Sequence, residues 1–421
     1  MAGTATTLNG LGKRVFGELV KTLPDFAILQ REFPFDPKAK TGDEYEEEIV
    51  LSRSHSVGFF RTTRRQVNTL PAVRTMQTLP ARTSPSEIVM REQLAYGMMS
   101  SAESAGEQAY AGSLPMLMAA VYESHRFYIE LGMLYGQSPT GIGVWEATGA
   151  GTTTRTITIT AQSWATGIWS QMEGAPVDAY NTAGDTKINT NAPMVISLVN
   201  PSARQITLTG NATDLAALAA GQFFVPTGGR GEQMDGIDRQ LTNTGSLYGI
   251  DAATYSMWKP NLVDALSVAP TLDLLLRALK APVGRGLIGK QMMALLNESV
   301  FTDLASDAAA LRTFTENQRA GVEQGTHELT VIGSNNNVLR VVSHPMVKQG
   351  DCFIINKKDW VRGGDTDITD GLPKTRGGGE MFFHLESVTA VEFREFSSQF
   401  FFGRRPSHQT KVANISPRSA A

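Results

Sequence analysis

Residues 113–135, SLPMLMAAVYESHRFYIELGMLY, constrain this chain more than any other stretch. Leu114, Leu117, Met118, Val121, His125, Tyr128, Leu131 and Tyr135 recur at steps of three and four, which aligns them on one stripe of a helix. At 1.5 Å per residue that helix reaches roughly 33 Å, about the width of a small domain. Pro115 suits a first turn, and Gly136 with Pro139 beyond it marks the end. Residues 91–111, REQLAYGMMSSAESAGEQAYA, also read as helical. Either two helices meet near Gly112, or one long helix kinks at Pro115. A rod with one apolar stripe suggests a beam on which sheets are laid rather than a reaction centre. An ordinary core helix would show the same pattern.

A chain of 421 residues has room for two or three domains and a sizeable core. Its net charge of −3 argues against a globally basic nucleic-acid surface and against a strong acidic field. Cys352 is the one cysteine, so neither an intrachain disulfide nor a cysteine zinc site can form. It sits in the apolar run GDCFII and is expected to be inert. No apolar run has the length of a signal peptide or a membrane span, so the expectation is a soluble chain made in a cytoplasm.

Residues 13–23 carry the spacing of a short amphipathic helix, and residues 28–40, with Pro34 and Pro37, read as irregular and extended. A lid on the chain's own core and an arm on a neighbouring copy both fit this opening. Residues 43–48, DEYEEE, form an acidic knot. Residues 49–90 then change character: arginines, prolines and threonines accumulate, and no lysine occurs between Lys40 and Lys187. The flanks of this segment read as two irregular strands joined by a long turn, too polar to bury and too long for a compact loop. A solvated insertion would share that composition, but the acidic knot beside an arginine ribbon suggests head-to-tail pairing of copies.

Residues 155–225 read as a small β module with a tight corner at Gly221; its threonine-rich strands raise a carbohydrate-binding reading that no aromatic platform pattern supports, and a hydrolase built on the module is an alternative of the same class. Helices are expected over 271–280, 290–297 and 303–315, a hairpin over 328–342, strands over 352–356 and 387–396, and a basic extended tail over 403–421. Without a strict βαβ rhythm the class is α+β. Residues 284–291, GRGLIGKQ, imitate a phosphate-binding loop up to Lys290, but Gln291 stands where Ser or Thr must hold magnesium. The histidines have no metal-ligand spacing, His125 reads as a core residue, and no G-x-S-x-G elbow occurs. No catalytic, cofactor or metal residue is assigned.

Taken in order, these parts resemble the major capsid protein of a tailed bacteriophage, the fold named after phage Hong Kong 97. The segments ESHRFYIELGMLYG, GIDRQLTNTGSLYGIDAATYSMWKPN and LRVVSHPMVKQGDCFII are similar to a phage coat group. The resemblance implies an N-terminal arm (1–45), an extended loop (46–90) and a peripheral domain with its spine helix (91–190). A β module and axial domain (191–350) follow, then a return to the peripheral domain with a tail (351–421). It implies a structural protein, not an enzyme, whose hexamers and pentamers tile an icosahedral head around double-stranded DNA bound without sequence specificity. Partners would be a separate scaffolding protein (about 45 residues precede the loop), a portal and a decoration protein, with no membrane; the location would be the virion, after assembly in the host cytoplasm. Arg61, Arg64, Arg65 and Arg74 are then expected to bond carboxylates on adjacent subunits, with Glu46, Glu47 and Glu48 as candidate partners. Some relatives weld their shells through a loop lysine; this loop has none, so that cross-link is not expected. An encapsulin-like compartment shares the fold and is the nearest alternative.

Overall fold

The long helix forms with the bounds its periodicity implies, Ser113–Tyr135. The computed structural model describes residues 27–37, 44–60, 69–95, 113–306, 328–333, 337–370, 382–384 and 390–418. Around its middle the helix is one-sided: Val121 and His125 are buried while Tyr122 is exposed. From Ile129 to Gly136 every residue is buried, so the C-terminal third runs through the core rather than along it. Gln137, in the left-handed region at φ 54°, turns the chain away.

The described strands form five groups. In a five-stranded sheet, Ala390–Gly403 is central, with Ser86–Ala95 along one edge and Trp360–Asp370 and Phe382–His384 along the other. The strand Ser86–Ala95 corrects the helix expected from residue 91; the rest of that expectation, residues 96–111, lies outside the described residues. Its alternating partners on Ala390–Gly403 outweigh a helical propensity that was weak on its own. Asp36–Pro37 adds a short parallel strand, and Ile28–Glu32 is a short helix where an irregular segment was expected. The buried side chains of Leu29 and Phe33 join the main core, so residues 27–37 lie on the chain's own body. The helix expected over 13–23 falls outside the described residues.

Gly143–Thr148, Thr154–Ile159, Pro176–Tyr180, Met194–Asn200, Gln205–Thr209 and Phe223–Pro226 close into a barrel. It spans the division at residue 190 expected from sequence. Trp145 stacks on Phe224 at 4.2 Å, and Trp164 and Trp169 lie beneath, so the interior is filled with rings. The threonines of its strands pair with one another, as Thr156 Oγ1 and Thr207 Oγ1 do at 3.2 Å. Gly221 makes the expected corner at φ 85°.

A third group is a six-stranded sheet in the order Asn261–Asp264, Thr410–Ala413, Cys352–Asn356, Gln291–Leu296, Val338–Ser343, Glu328–Ile332. The expected hairpin pairs Glu328 with Val342 through Ile332 with Val338. Two expectations fail here. Gln291–Leu296 is a strand, not a helix; it lies between two other strands with both faces covered, and such a strand reads as a continuous apolar run. The tail is not loose: Thr410–Ala413 is inserted between two strands of this sheet.

One close approach locks the helix to the barrel side. Gly236 N–H donates to the Gly136 carbonyl at 2.9 Å, and a Cβ on Gly136 would collide with the Met234 carbonyl oxygen. Gly136→Ala is therefore expected to cost about 1–3 kcal/mol by overpacking, read as a lowered denaturation midpoint.

Candidate assembly interface

Tyr45–Ser52 and Gln77–Thr83 pair antiparallel into a ribbon, with Tyr45 opposite Thr83 and Ser52 opposite Gln77. Its base is seated on its own subunit. Tyr45 stacks on Phe400 at 4.7 Å, and Leu51 and Ala81 are buried in a cluster with Leu247, Ile250, Trp258 and Phe402. Arg82 N–H donates to the Tyr248 carbonyl at 3.1 Å, and Ser86 Oγ donates to the Glu232 carbonyl at 2.7 Å. The expectation that this segment is too polar to bury is thus corrected for its proximal half. The sequence missed it because the cover comes from residues about 165 to 355 positions away.

Beyond Ser52 the two limbs continue as residues 53–60 and 69–76 with little regular pairing. They meet at Arg74, whose carbonyl accepts from His55 N–H at 3.0 Å and from the Ser54 and Ser56 hydroxyls at 2.9 and 3.0 Å. Apolar side chains point outward along this stretch: Phe59 is 91% exposed, Leu70 83% and Val73 80%. Side chains of this size, exposed together on one element, are typical of interaction surfaces. Phe59 and Phe60 stand side by side in the sequence, a signal outweighed there by the arginines.

Two of the expected carboxylates already have partners within the chain. Glu47 bonds Arg404 at 2.8 Å and accepts from the Tyr45 hydroxyl at 2.7 Å, while Glu46 lies 3.4 Å from Arg82. These two carboxylates therefore brace the ribbon base within one chain, and they hold arginines other than those expected. Glu48 and Arg74 are exposed. Arg61, Arg64 and Arg65 lie outside the described residues.

A crevice of about 410 Å³ opens beside the ribbon base, lined by Arg82, Ser86, Gln137, Glu232, Asp235 and Tyr248 among others. Burial raises the Asp235 carboxyl above its usual range. The imitation phosphate loop leads into the strand Gln291–Leu296, not into a helix, so no helix N-terminus faces a phosphate there. Among the described residues, no three or more His, Cys, Asp or Glu side chains gather as a metal site. No described helix is long and apolar enough to cross a membrane.

His125 is buried as expected, with Nε2 2.7 Å from Ser397 Oγ and Nδ1 3.5 Å from Glu395. Burial pushes the Cys352 thiol up to about 12. Cys352 is therefore expected to resist thiol reagents at pH 8 in the folded chain and to react fully once denatured, as a labelling time course would show.

No protein-family model and no curated protein matches this sequence. Solved structures do. The capsid asymmetric unit of cyanophage A-1(L) matches at 9% identity and TM-score 0.55, covering 96% of this chain and 97% of that one. The capsid of a native GTA particle matches at 7% identity and TM-score 0.50, covering 99% and 100%. The SrpI encapsulin of Synechococcus elongatus aligns at 8% identity over 100% and 98% of the two chains, but its TM-score of 0.41 supports no argument. The architecture is therefore that of a capsid protein. More particularly, it is the fold of tailed-phage major capsid proteins.

Proposed function

We propose that this chain is the major capsid protein of a tailed phage, with the Hong Kong 97 fold, forming hexamers and pentamers of an icosahedral head around double-stranded DNA. One observation carries the reading. The ribbon is fixed to its own subunit at the base, while its far half offers large apolar side chains to solvent. In this reading residues 1–45 are the N-terminal arm, seated on its own subunit over 27–37, 46–90 are the extended loop, and Ser113–Tyr135 lies in the spine. The barrel and the six-stranded sheet supply the remaining domains, and the distal ribbon lies across the next subunit. Arg61, Arg64, Arg65 and Arg74 contribute ionic contacts there, with Glu48 the nearest candidate partner left by the intrachain pairs. A scaffolding protein and a portal complete the assembly in the host cytoplasm, ending in the virion.

Electron microscopy of particles, with their nucleic acid and protein content measured, tests this. Closed shells packed with DNA support it; closed shells holding enzyme cargo in place of DNA would make the chain an encapsulin subunit. With no lysine between Lys40 and Lys187, boiling in detergent is expected to release single chains on a gel. A ladder of multiples would contradict the absence of loop cross-links.

A further inference from the structure

The C-terminal strand carries a lysine into the core. In Thr410–Ala413, Lys411 lies opposite Phe353 of the neighbouring strand Cys352–Asn356 and beside Asp351, the residue just before that strand. Lys411 is 6% exposed, Asp351 8% and Asp238 0%. Lys411 Nζ lies 3.0 Å from Asp351 Oδ1 and also contacts Asp238 Oδ1. The Phe353 ring centroid is 5.7 Å from the same nitrogen. The Tyr135 hydroxyl accepts from Lys348 N–H at 2.8 Å, which leaves its own proton directed at Asp351 Oδ2, 3.4 Å away. An amine, a carboxyl group that meets it, a second carboxylate and a phenol donor thus share one dry compartment.

We propose that Lys411 and Asp351 condense spontaneously into an isopeptide bond within the chain, with Asp238 as the catalytic proton acceptor. The Lys411 ammonium first gives a proton to Asp238. The free amine attacks Cγ of protonated Asp351, and the Nζ–Cγ bond forms while Tyr135 donates to the oxygen that gains charge. Asp238 returns its proton to the departing hydroxyl, the Cγ–O bond breaks and water leaves. Asp238 then takes the remaining extra proton from nitrogen, so one amide, one water and one protonated Asp238 result from one ammonium, one carboxylic acid and one carboxylate. Proximity of this kind substitutes for activation: positioned intramolecular groups reach effective concentrations of roughly 10⁵–10⁸ M.

The electrostatics divide the two acids between these roles. Burial, reinforced by the nearby Asp238 charge, raises Asp351 and favours its neutral, attackable form; Lys411 and Lys348 hold Asp238 low and ionised against its own burial. The same two carboxylates outweigh burial and hold Lys411 high, so its proton has to leave to a partner in contact, and Asp238 is that partner. The bond would tie the terminal strand into the six-stranded sheet, closing a ring from residue 351 to residue 411. Such a weld needs no loop lysine and no second subunit.

Intact mass of the denatured full chain, taken from folded protein, reads the bond directly. The proposal expects a mass lower than the sequence mass by one water, with fragmentation placing the link between Asp351 and Lys411. The full sequence mass in protein shown to be folded by circular dichroism would overturn it, as would a link to Asp238. Asp238→Asn keeps the shape of the site, and it is expected to slow linkage after refolding by about 100-fold. Linkage at the unaltered rate in that variant would remove Asp238 from the mechanism. Lys411→Met should restore the unlinked mass; a persisting loss of water would place the reaction elsewhere.

Discussion

Replacing residues 53–76 with a short turn is expected to abolish shell formation while leaving a folded, soluble subunit. The cut spares Tyr45, Leu51 and Ala81, which anchor the ribbon base in the aromatic cluster around Phe400 and Phe402. A larger deletion reaching residue 82 would tear that cluster open and confuse unfolding with failed assembly. What the shorter cut removes is solvent-facing apolar surface: Phe59, Leu70 and Val73 above all. Burying each such side chain is worth about 1.5–3 kcal/mol, so three on a neighbour contribute on the order of 6 kcal/mol per contact. Repeated around a closed shell, that loss leaves no stable partial structure to accumulate. Sedimentation velocity should show monomers or small oligomers, and the thermal midpoint should stay close to that of the unassembled parent. Normal shells from this variant would mean that the distal ribbon is not an assembly element.

The largest stability loss is expected at Glu130. This carboxylate is fully buried on the long helix, and it accepts from Leu29 N–H at 2.5 Å and from Gln30 N–H and Nε2 at 3.2 Å each. It also meets His344 Nε2 at 2.9 Å. The short helix Ile28–Glu32 begins at Ala27, whose side chain cannot cap it, so Glu130 supplies the missing acceptor from another element. His344 follows the strand Val338–Ser343, so one side chain joins the N-terminal segment, the long helix and the six-stranded sheet. Glu130→Ala strands several buried donors at once and is expected to cost about 3–5 kcal/mol. Glu130→Gln, which keeps the shape and one accepting oxygen, should cost about 1–3 kcal/mol. Denaturant titration of the unassembled subunit separates the two. Equal midpoints for parent and Glu130→Ala would show that the N-terminal segment is not held by this contact.

The parts of this chain that depend on local sequence could be read in advance, and the parts that depend on distant neighbours could not. Ser113–Tyr135, the hairpin of Glu328–Ile332 with Val338–Ser343 and the corner at Gly221 carry their own periodicity or turn residues, and the structure has them where expected. Gln291–Leu296 is apolar without a period, so only its sheet neighbours distinguish strand from helix. Thr410–Ala413 looked like tail because Lys411 is charged; buried acids on two other segments make its burial tolerable. The same limit applied to the interface. Arginine composition drew attention to the ribbon, yet Glu46 and Glu47 are occupied by Arg82 and Arg404, and the exposed apolar side chains are the stronger sign of a partner.

Copies of this chain are expected to close around one another through the distal ribbon. Hydrogen exchange at residues 53–60 and 69–76, compared between dispersed subunits and particles formed when the chain is expressed with its flanking genes, tests it most directly. Closed shells in micrographs and strong protection of both limbs in the particles alone are expected. Limbs that exchange equally fast in both samples, or no particles at all, would contradict it.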